Sequence, residues 1–404
     1  MTRLSSQPWM TAPETVKLMA ALGEARFVGG AVRNALLGLS VADVDVATPL
    51  TPDKVQARLA AAGIAAVPTG IAHGTVTAVV DGKPFEVTTL RRDVETFGRH
   101  ATVAFSESWE EDAARRDFTI NALYASAEGE VFDYFGGIDD LAAGRVRFVG
   151  DATTRIREDY LRILRLFRFH AWYGKGALDA EALRAAAAEK AGLAQLSGER
   201  IAKEMLRLLA ADDPAPVLNA MAASGILSEI LPGEAKLARL EKLARIDAAN
   251  FFVPDALLRL AALLPEGADA AIAERWKLSN AQRERLAAAL VDRKLVPYLS
   301  VREARKLLYR IGAAAFKDAV RLAWADDPKT SNTAHWRALL ALADAFVRPR
   351  FPLGGREVML AGVPEGPLIG RVLAEVEEWW IEADFTNDEL ALAERLQAVV
   401  RAVT

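Results

Sequence analysis

The sequence contains no cysteine. That excludes disulfides and thiolate metal sites, and it fits a reducing compartment. Histidine is scarce as well. His73, His100, His170 and His335 are the whole set, and they form no histidine–aspartate metal motif, which argues against an appended hydrolase domain. No uninterrupted apolar run is long enough to span a bilayer, so no membrane association is expected. The stretch Met1–Lys17 lacks the apolar core of a secretory signal, and a cytoplasmic location is the expectation. Neither sign of charge dominates: 50 Lys and Arg stand against 54 Asp and Glu, a net of −4. A nucleic-acid binder is often basic overall, so this balance weighs slightly against one. A local excess exists between Val291 and Arg321, with eight basic residues against three acidic ones, although such a run is commonly a solvated helix face. There is no fixed-period repeat and no low-complexity linker.

What is present is enough chain for two to four domains: 404 residues, of which 52% are hydrophobic. Two regimes are visible. Up to about Gly150, short β-branched runs alternate with helical stretches and glycine turns. Arg26–Val28, Asp43–Ala47, Thr75–Val80 and Phe85–Leu90 read as strands, and Asp81-Gly82-Lys83 as a hairpin turn. Thr51-Pro52-Asp53 reads as a helix start and Gly63 as its stop. After Gly150 strand signals nearly vanish. Helical spacing then runs to the C-terminus, broken near Gly174–Gly176, Pro232-Gly233, Pro265–Gly267 and Pro349–Gly355. The fold class is therefore α+β: a mixed head followed by an all-helical remainder.

The chemistry concentrates in the head. In Phe27-Val28-Gly29-Gly30-Ala31-Val32-Arg33 a strand meets a helix through two glycines, whose N–H groups can approach phosphate closely, with Arg33 adding a charge. Taken alone this is more often just a tight turn. Downstream, Asp43-Val44-Asp45-Val46 sets two carboxylates on one face of a strand and two valines on the other. Such a pair repels itself unless cations intervene, and Mg²⁺ is commonly held by one or two carboxylates plus substrate phosphates. Glu86 is a candidate third carboxylate for two-metal transfer, and equally a solvent-facing strand residue. In Arg115-Arg116-Asp117-Phe118-Thr119-Ile120-Asn121, Arg116 suits a phosphate, while Asp117 and Asn121 suit a ribose hydroxyl. From Glu158 onward, Asp159, Arg162, Arg165 and Arg168 recur every three residues, giving a slanted ridge on a helix otherwise apolar almost all round. Buried arginines need anions. A triphosphate and a base would supply them, and so would carboxylates such as Glu199 and Glu204.

These segments in this order resemble the class II tRNA nucleotidyltransferase and bacterial poly(A) polymerase family. Asp133-Tyr134-Phe135-Gly136-Gly137-Ile138-Asp139-Asp140-Leu141 and Ser197-Gly198-Glu199-Arg200-Ile201 complete the set, which covers about Phe27 to Leu206. Lys277-Leu278-Ser279-Asn280 and Phe351-Pro352-Leu353-Gly354-Gly355-Arg356 look similar to later parts of that family. The resemblance implies a polymerase-β-type nucleotidyltransferase head over residues 1–150, a helical neck over 151–215, a body over 216–300 and an RNA-binding tail over 301–404. It implies addition of CCA to the 3′ end of tRNA from CTP and ATP, with Mg²⁺ on Asp43 and Asp45 and Glu86 beside them. Gly29, Gly30 and Arg33 would hold the triphosphate. Arg116, Asp117 and Asn121 would hold phosphate and ribose. Asp159 and Arg162 would select the base, with Arg165 and Arg168 adjacent. One position departs from the family pattern: Asn34 stands where Asp is usual.

The same residues also bear on other functions. Poly(A) polymerases of this family usually carry a glycine, two basic residues and Phe where this chain reads Thr69-Gly70-Ile71-Ala72-His73-Gly74-Thr75-Val76, which looks like CCA-adding enzymes. Arg91–Ala101 looks like their flexible loop, which enzymes adding only part of CCA tend to shorten. An inactive RNA-binding paralogue would be expected to lack Asp43 or Asp45. A dinucleotide oxidoreductase would need a Gly-x-Gly-x-x-Gly turn and repeated βαβ units, and neither is present.

Overall fold

The computed structural model describes residues 2–70, 74–97 and 100–403; for residues 69, 93–97 and 100–103 only the backbone is described. The chain forms two compact units. The first comprises Met1–Leu237, Pro254–Ala256 and Glu274–Leu278, and the second holds the remaining stretches up to Thr404.

The first unit is built on a seven-stranded mixed sheet. Its strands are β1 (Arg26–Val28), β2 (Asp45–Thr48), β3 (Ala65–Gly70), β4 (Thr75–Val80), β5 (Lys83–Thr89), β8 (Leu123–Ala125) and β9 (Val131–Asp133). Their order across the sheet is β3-β4-β5-β2-β1-β8-β9. Side chains alternate as expected: Val76, Ala78 and Val80 of β4, and Phe85 and Val87 of β5, are buried. Asp81 and Gly82 both have positive φ, as a two-residue hairpin linking β4 and β5 requires. Two further strands, β6 (Arg91–Phe97) and β7 (His100–Phe105), pair antiparallel as a separate hairpin. The segment expected to be a flexible loop thus has paired backbone over residues 91–97 and 100–105, with a register shift between Asp93 and Glu95; residues 98–99 lie outside the described residues. So does the core of the Thr69–Val76 motif, residues 71–73.

The register places the chemistry. β1 and β2 are antiparallel, with Phe27 opposite Val46, so the C-terminal end of β1 lies beside the start of β2. The Gly29 turn therefore leaves the sheet next to Asp45. β5 runs parallel to β2 and sets Glu86 opposite Asp45.

Two of the sequence motifs lock together in the same unit. Asp133 accepts from the N–H groups of Gly137 and Ile138, and Asp140 accepts from the Thr119 hydroxyl at 2.6 Å. A Cβ on Gly137 would sit 2.2 Å from the Thr119 carbonyl oxygen. Gly137→Ala should accordingly cost about 1–3 kcal/mol and loosen the Asp117–Asn121 segment. A thermal unfolding midpoint equal to that of the unaltered protein would contradict this.

Beyond residue 150 every described element is a helix, and each of the four breaks read from the sequence falls between helices, among further breaks that were not read. In the second unit the helix Val301–Asp326 carries most of the basic run. Its cations are largely met by acids of the same unit: Lys306 by Glu382 at 2.5 Å, Arg305 by Asp384 at 3.1 Å, Arg310 by Glu378, Lys317 by Asp344 and Arg321 by Asp247. The local charge excess is thus mostly neutralised within the fold. No helix among the described residues is long and apolar enough to cross a membrane.

Candidate active site

Three carboxylates gather around the start of β2, the central strand of the sheet. Asp45 is half-buried, while Asp43 and Glu86 are exposed; Val44 and Val46 are buried on the opposite face. Asp43 lies just before β2 rather than within it. Among the described residues none of the three acids has an ion-pair or hydrogen-bond partner. Burial, then the charge of Glu86, raises the Asp45 pKa above the ordinary carboxylate range; Arg116 opposes this and Asp43 adds to it. A negative cluster left uncompensated in this way fits a cation. No three such groups among the described residues close tightly enough to hold an ion unaided. An ion sharing its ligands with substrate phosphate and water needs no more than two carboxylates.

Gly29 has φ +65°, and a Cβ there would lie 3.5 Å from Arg116 Nη1 and 3.6 Å from the Asn121 carbonyl oxygen. The left-handed conformation is what calls for glycine here, since a Cβ would meet these neighbours at ordinary contact distance. Arg33 follows on the helix Gly30–Leu36. It is buried and donates to Asn121 Oδ1, to Asn34 Oδ1 at 2.9 Å and to the Tyr173 hydroxyl at 2.8 Å. Its guanidinium lies 4.1 Å from the centre of the Tyr173 ring. Asn34 also donates through Nδ2 to the Ser40 carbonyl at 3.0 Å. An Asp at this position could not make that bond, which gives the departure from the family pattern a local reason.

The other arginines are each fixed by an acid. Arg116 donates to Asp112 Oδ2 and to the Tyr124 hydroxyl, both at 3.1 Å. Burial works against its charge, but Tyr124 and Asp112 outweigh this and hold its pKa above the ordinary value. Arg165 donates from Nε to Asp117 Oδ2 at 2.8 Å. Asp117 Oδ1 accepts from Asn121 Nδ2 at 3.0 Å and from the Phe118 N–H at 2.9 Å. Burial disfavours the Asp117 carboxylate, yet Arg165 and these hydrogen bonds keep its pKa low. Arg168 donates to Glu204, the acid anticipated from the sequence; Glu199 instead pairs with Lys277 at 2.9 Å. Asp117 and Asn121, expected at a ribose, here orient Arg165 and Arg33.

Together these groups line a cavity of about 510 Å³ whose walls include Gly29, Gly30, Asp45 and the guanidiniums of Arg33, Arg116, Arg165 and Arg168. Asp159 and Arg162 are not on that wall. Asp159 ends the helix Ala152–Glu158 with extended backbone, φ −155°, so the ridge of spaced residues begins at Arg162 on the helix Leu161–Tyr173. Asp159 accepts from Arg200 at 2.7 Å, while Arg162 pairs with Glu158 and donates to the Arg155 carbonyl at 2.8 Å.

Comparison with known proteins bears on what this cavity serves. A model of the poly A polymerase head domain matches residues 25–147, and one described as a probable RNA and SrmB-binding site of polymerase A matches residues 177–237. The mitochondrial CCA tRNA nucleotidyltransferase 1 of Mus musculus is 36% identical over 387 residues, 91% of this chain and 85% of that protein. The chain belongs to the CCA-adding tRNA nucleotidyltransferase family. The CCA-adding enzyme of Latilactobacillus sakei is 33% identical, covering 94% of this chain and 95% of that one. The crystal structure of the Bacillus stearothermophilus CCA-adding enzyme in complex with CTP superposes with a TM-score of 0.79 at 29% identity, covering 99% of both chains.

For a CCA-adding family member, the sequence reading found the carboxylates and most of the guanidiniums. It missed Asp112 and Tyr124, which hold Arg116, and it missed Trp172, Tyr173 and Arg207 on the cavity wall. A signal existed for Trp172, since it lies four residues beyond Arg168 and so on the same side of the helix.

Proposed function

We propose that this chain adds CCA to the 3′ end of tRNA from CTP and ATP, releasing pyrophosphate. The reading is carried by the carboxylate cluster that opens onto a guanidinium-lined cavity, in a chain matched by CCA-adding relatives along nearly its whole length. In this reading Asp43 and Asp45 hold Mg²⁺, with Glu86 completing the set. The bound ion would offset charge on the attacking and leaving oxygens. Gly30 and Arg33 grip the triphosphate through N–H groups and a stacked guanidinium. Arg116, locked by Asp112, takes phosphate or ribose. Arg165 and Arg168 neutralise the nucleotide with their own acids behind them, so binding needs little side-chain ordering. Residues 1–150 act as the head, 151–215 as the neck, 216–300 as the body and 301–404 as the tail. Body and tail hold the tRNA by backbone and shape. A cytoplasmic setting is part of the proposal and rests on the cysteine-free composition.

Base choice falls to Asp159 and Arg162. A carboxylate accepts from the exocyclic amine of C or A, and a guanidinium donates to ring acceptors; U and G leave the pair unsatisfied. Presenting them to a base means releasing the Arg200 and Glu158 bridges. Arg162→Ala should then raise the rate of U and G incorporation relative to C and A by roughly tenfold or more, the weight of one charged hydrogen bond. Single-nucleotide incorporation rates measure this. A uniform fall with unchanged discrimination would make Arg162 a structural residue held by Glu158.

The reaction class is tested by incubating the protein with Mg²⁺, CTP, ATP and tRNA lacking its 3′ end. Extension of the RNA with matching pyrophosphate release supports the reading. Intact tRNA ends with no pyrophosphate would overturn it.

A further inference from the structure

One guanidinium on the cavity wall has no assigned task. Arg116, Arg165 and Arg168 are each tied to an acid, and Arg33 is held by Asn34, Asn121 and Tyr173. Arg207 also lines the cavity, on the helix Gly198–Leu209, and is exposed. Among the described residues its side chain has no hydrogen bond or ion pair, which leaves all its donors available. Its backbone, by contrast, is fixed: the indole N–H of Trp172 donates to the Arg207 carbonyl at 2.8 Å. Trp172 shares the cavity wall and keeps 50% of its surface exposed, unusual for so large an apolar side chain.

The position of this pair in the cavity matters. Arg165 and Trp172 lie about 10 Å apart along the axis of the helix Leu161–Tyr173, at 1.5 Å per residue. Arg165 is tied to Asp117, next to Arg116, whose charge reaches Asp45. Trp172 and Tyr173 are at the other end of that helix, where the Tyr173 hydroxyl accepts from Arg33 and Trp172 donates to the Arg207 carbonyl. Burial first, and then the proximity of Arg165 and Arg207, lowers the Arg168 pKa despite Glu204; burial and Arg168 act the same way on Arg33. The cavity thus has the carboxylate of Asp45 near Arg116 on one side. On the other it has the guanidinium of Arg207, unpaired among the described residues, near Arg168, a setting that favours a multiply charged anion.

We infer that Arg207 and Trp172 form the terminal-phosphate end of the nucleotide site. Arg207 donates to the γ-phosphate of the incoming triphosphate and to the pyrophosphate derived from it, and Trp172 fixes Arg207 in place at the cavity mouth. The polarity orients the ligand: α-phosphate toward Asp45, γ-phosphate toward Arg207. A guanidinium fork suits phosphate oxygens, and a free one presents its donors without first breaking an internal pair. The inference rests on the nucleotide-binding reading given above.

The test is calorimetric titration of CTP, CDP, CMP and inorganic pyrophosphate into the full chain with Mg²⁺, for the unaltered protein and for Arg207→Ala, Arg207→Lys and Trp172→Phe. Arg207→Ala should weaken CTP and pyrophosphate binding by roughly tenfold or more and leave CMP binding unchanged. Arg207→Lys should recover part of the loss. Trp172→Phe keeps an aromatic ring but removes the N–H donor, and should give a smaller loss with the same ligand pattern. Equal weakening of CTP and CMP would overturn the inference, as would unchanged CTP binding with weakened tRNA binding, which would place Arg207 on the RNA backbone. Failure of the unaltered protein to bind any of these nucleotides would overturn the nucleotide reading itself, and that result is distinct from a variant-specific one.

Discussion

Replacing Asp45 with asparagine is expected to reduce transfer from every nucleoside triphosphate by roughly a thousandfold or more, because several kcal/mol of transition-state charge stabilisation depend on the site it anchors. The same substitution should not destabilise the fold. The Asp45 pKa is raised in the folded protein, by burial first and Glu86 second. A raised folded pKa means that the contribution of this group to stability is present below its unfolded pKa and lost as pH rises through the folded one. At neutral pH the ionised side chain is therefore a cost, and the isosteric amide removes it. The unfolding midpoint should stay level or rise while activity disappears. Near-normal activity would remove Asp45 from the site. A lower midpoint accompanying the lost activity would mean that the carboxylate serves the fold.

Glu204→Leu should have the opposite character. Glu204 and Arg168 pair with side chains only 5% and 10% exposed. Taking away one partner leaves a buried guanidinium without an anion, at a cost of about 3–5 kcal/mol. Glu204→Gln keeps an acceptor and should lose less. Because the cavity admits a phosphate beside Arg168, CTP or pyrophosphate should raise the unfolding midpoint of the Leu variant by more than that of the unaltered protein. Calorimetry with and without ligand measures both effects. A Leu variant as stable as the unaltered protein would show that the pair contributes nothing to the fold.

How much of this was readable in the sequence follows from how local each signal is. Strands β1 and β4 match their expected spans, and β2 and β5 shift by one to two residues, because alternating β-branched residues set their faces. β3 is not among the strands read from the sequence; it contains Pro68, and the sheet order puts β3 at an edge, where proline is tolerated. β8 is three residues long and buried throughout, so it shows no alternation to read. Within the site, the i, i+2 spacing of Asp43 and Asp45 is local and visible in the sequence, although the strand it was read as begins only at Asp45. The acids that hold the arginines could not be assigned with the same ease: Asp117 is 48 residues from Arg165, and Glu204 is 36 from Arg168. Helical spacing also misled at Asp159, where the backbone turns extended and takes the carboxylate off the ridge it seemed to begin.

If one cavity adds C, C and A in order, the length of the product reports it. tRNA lacking its last three nucleotides is incubated with Mg²⁺ and with each triphosphate singly, then with CTP and ATP together, and resolved on a sequencing gel. CTP alone should extend the RNA by two residues and CTP with ATP by three. ATP, UTP or GTP alone should add nothing at matched times. A long tail built from ATP alone, or growth that stops after two residues when both triphosphates are present, would contradict the account.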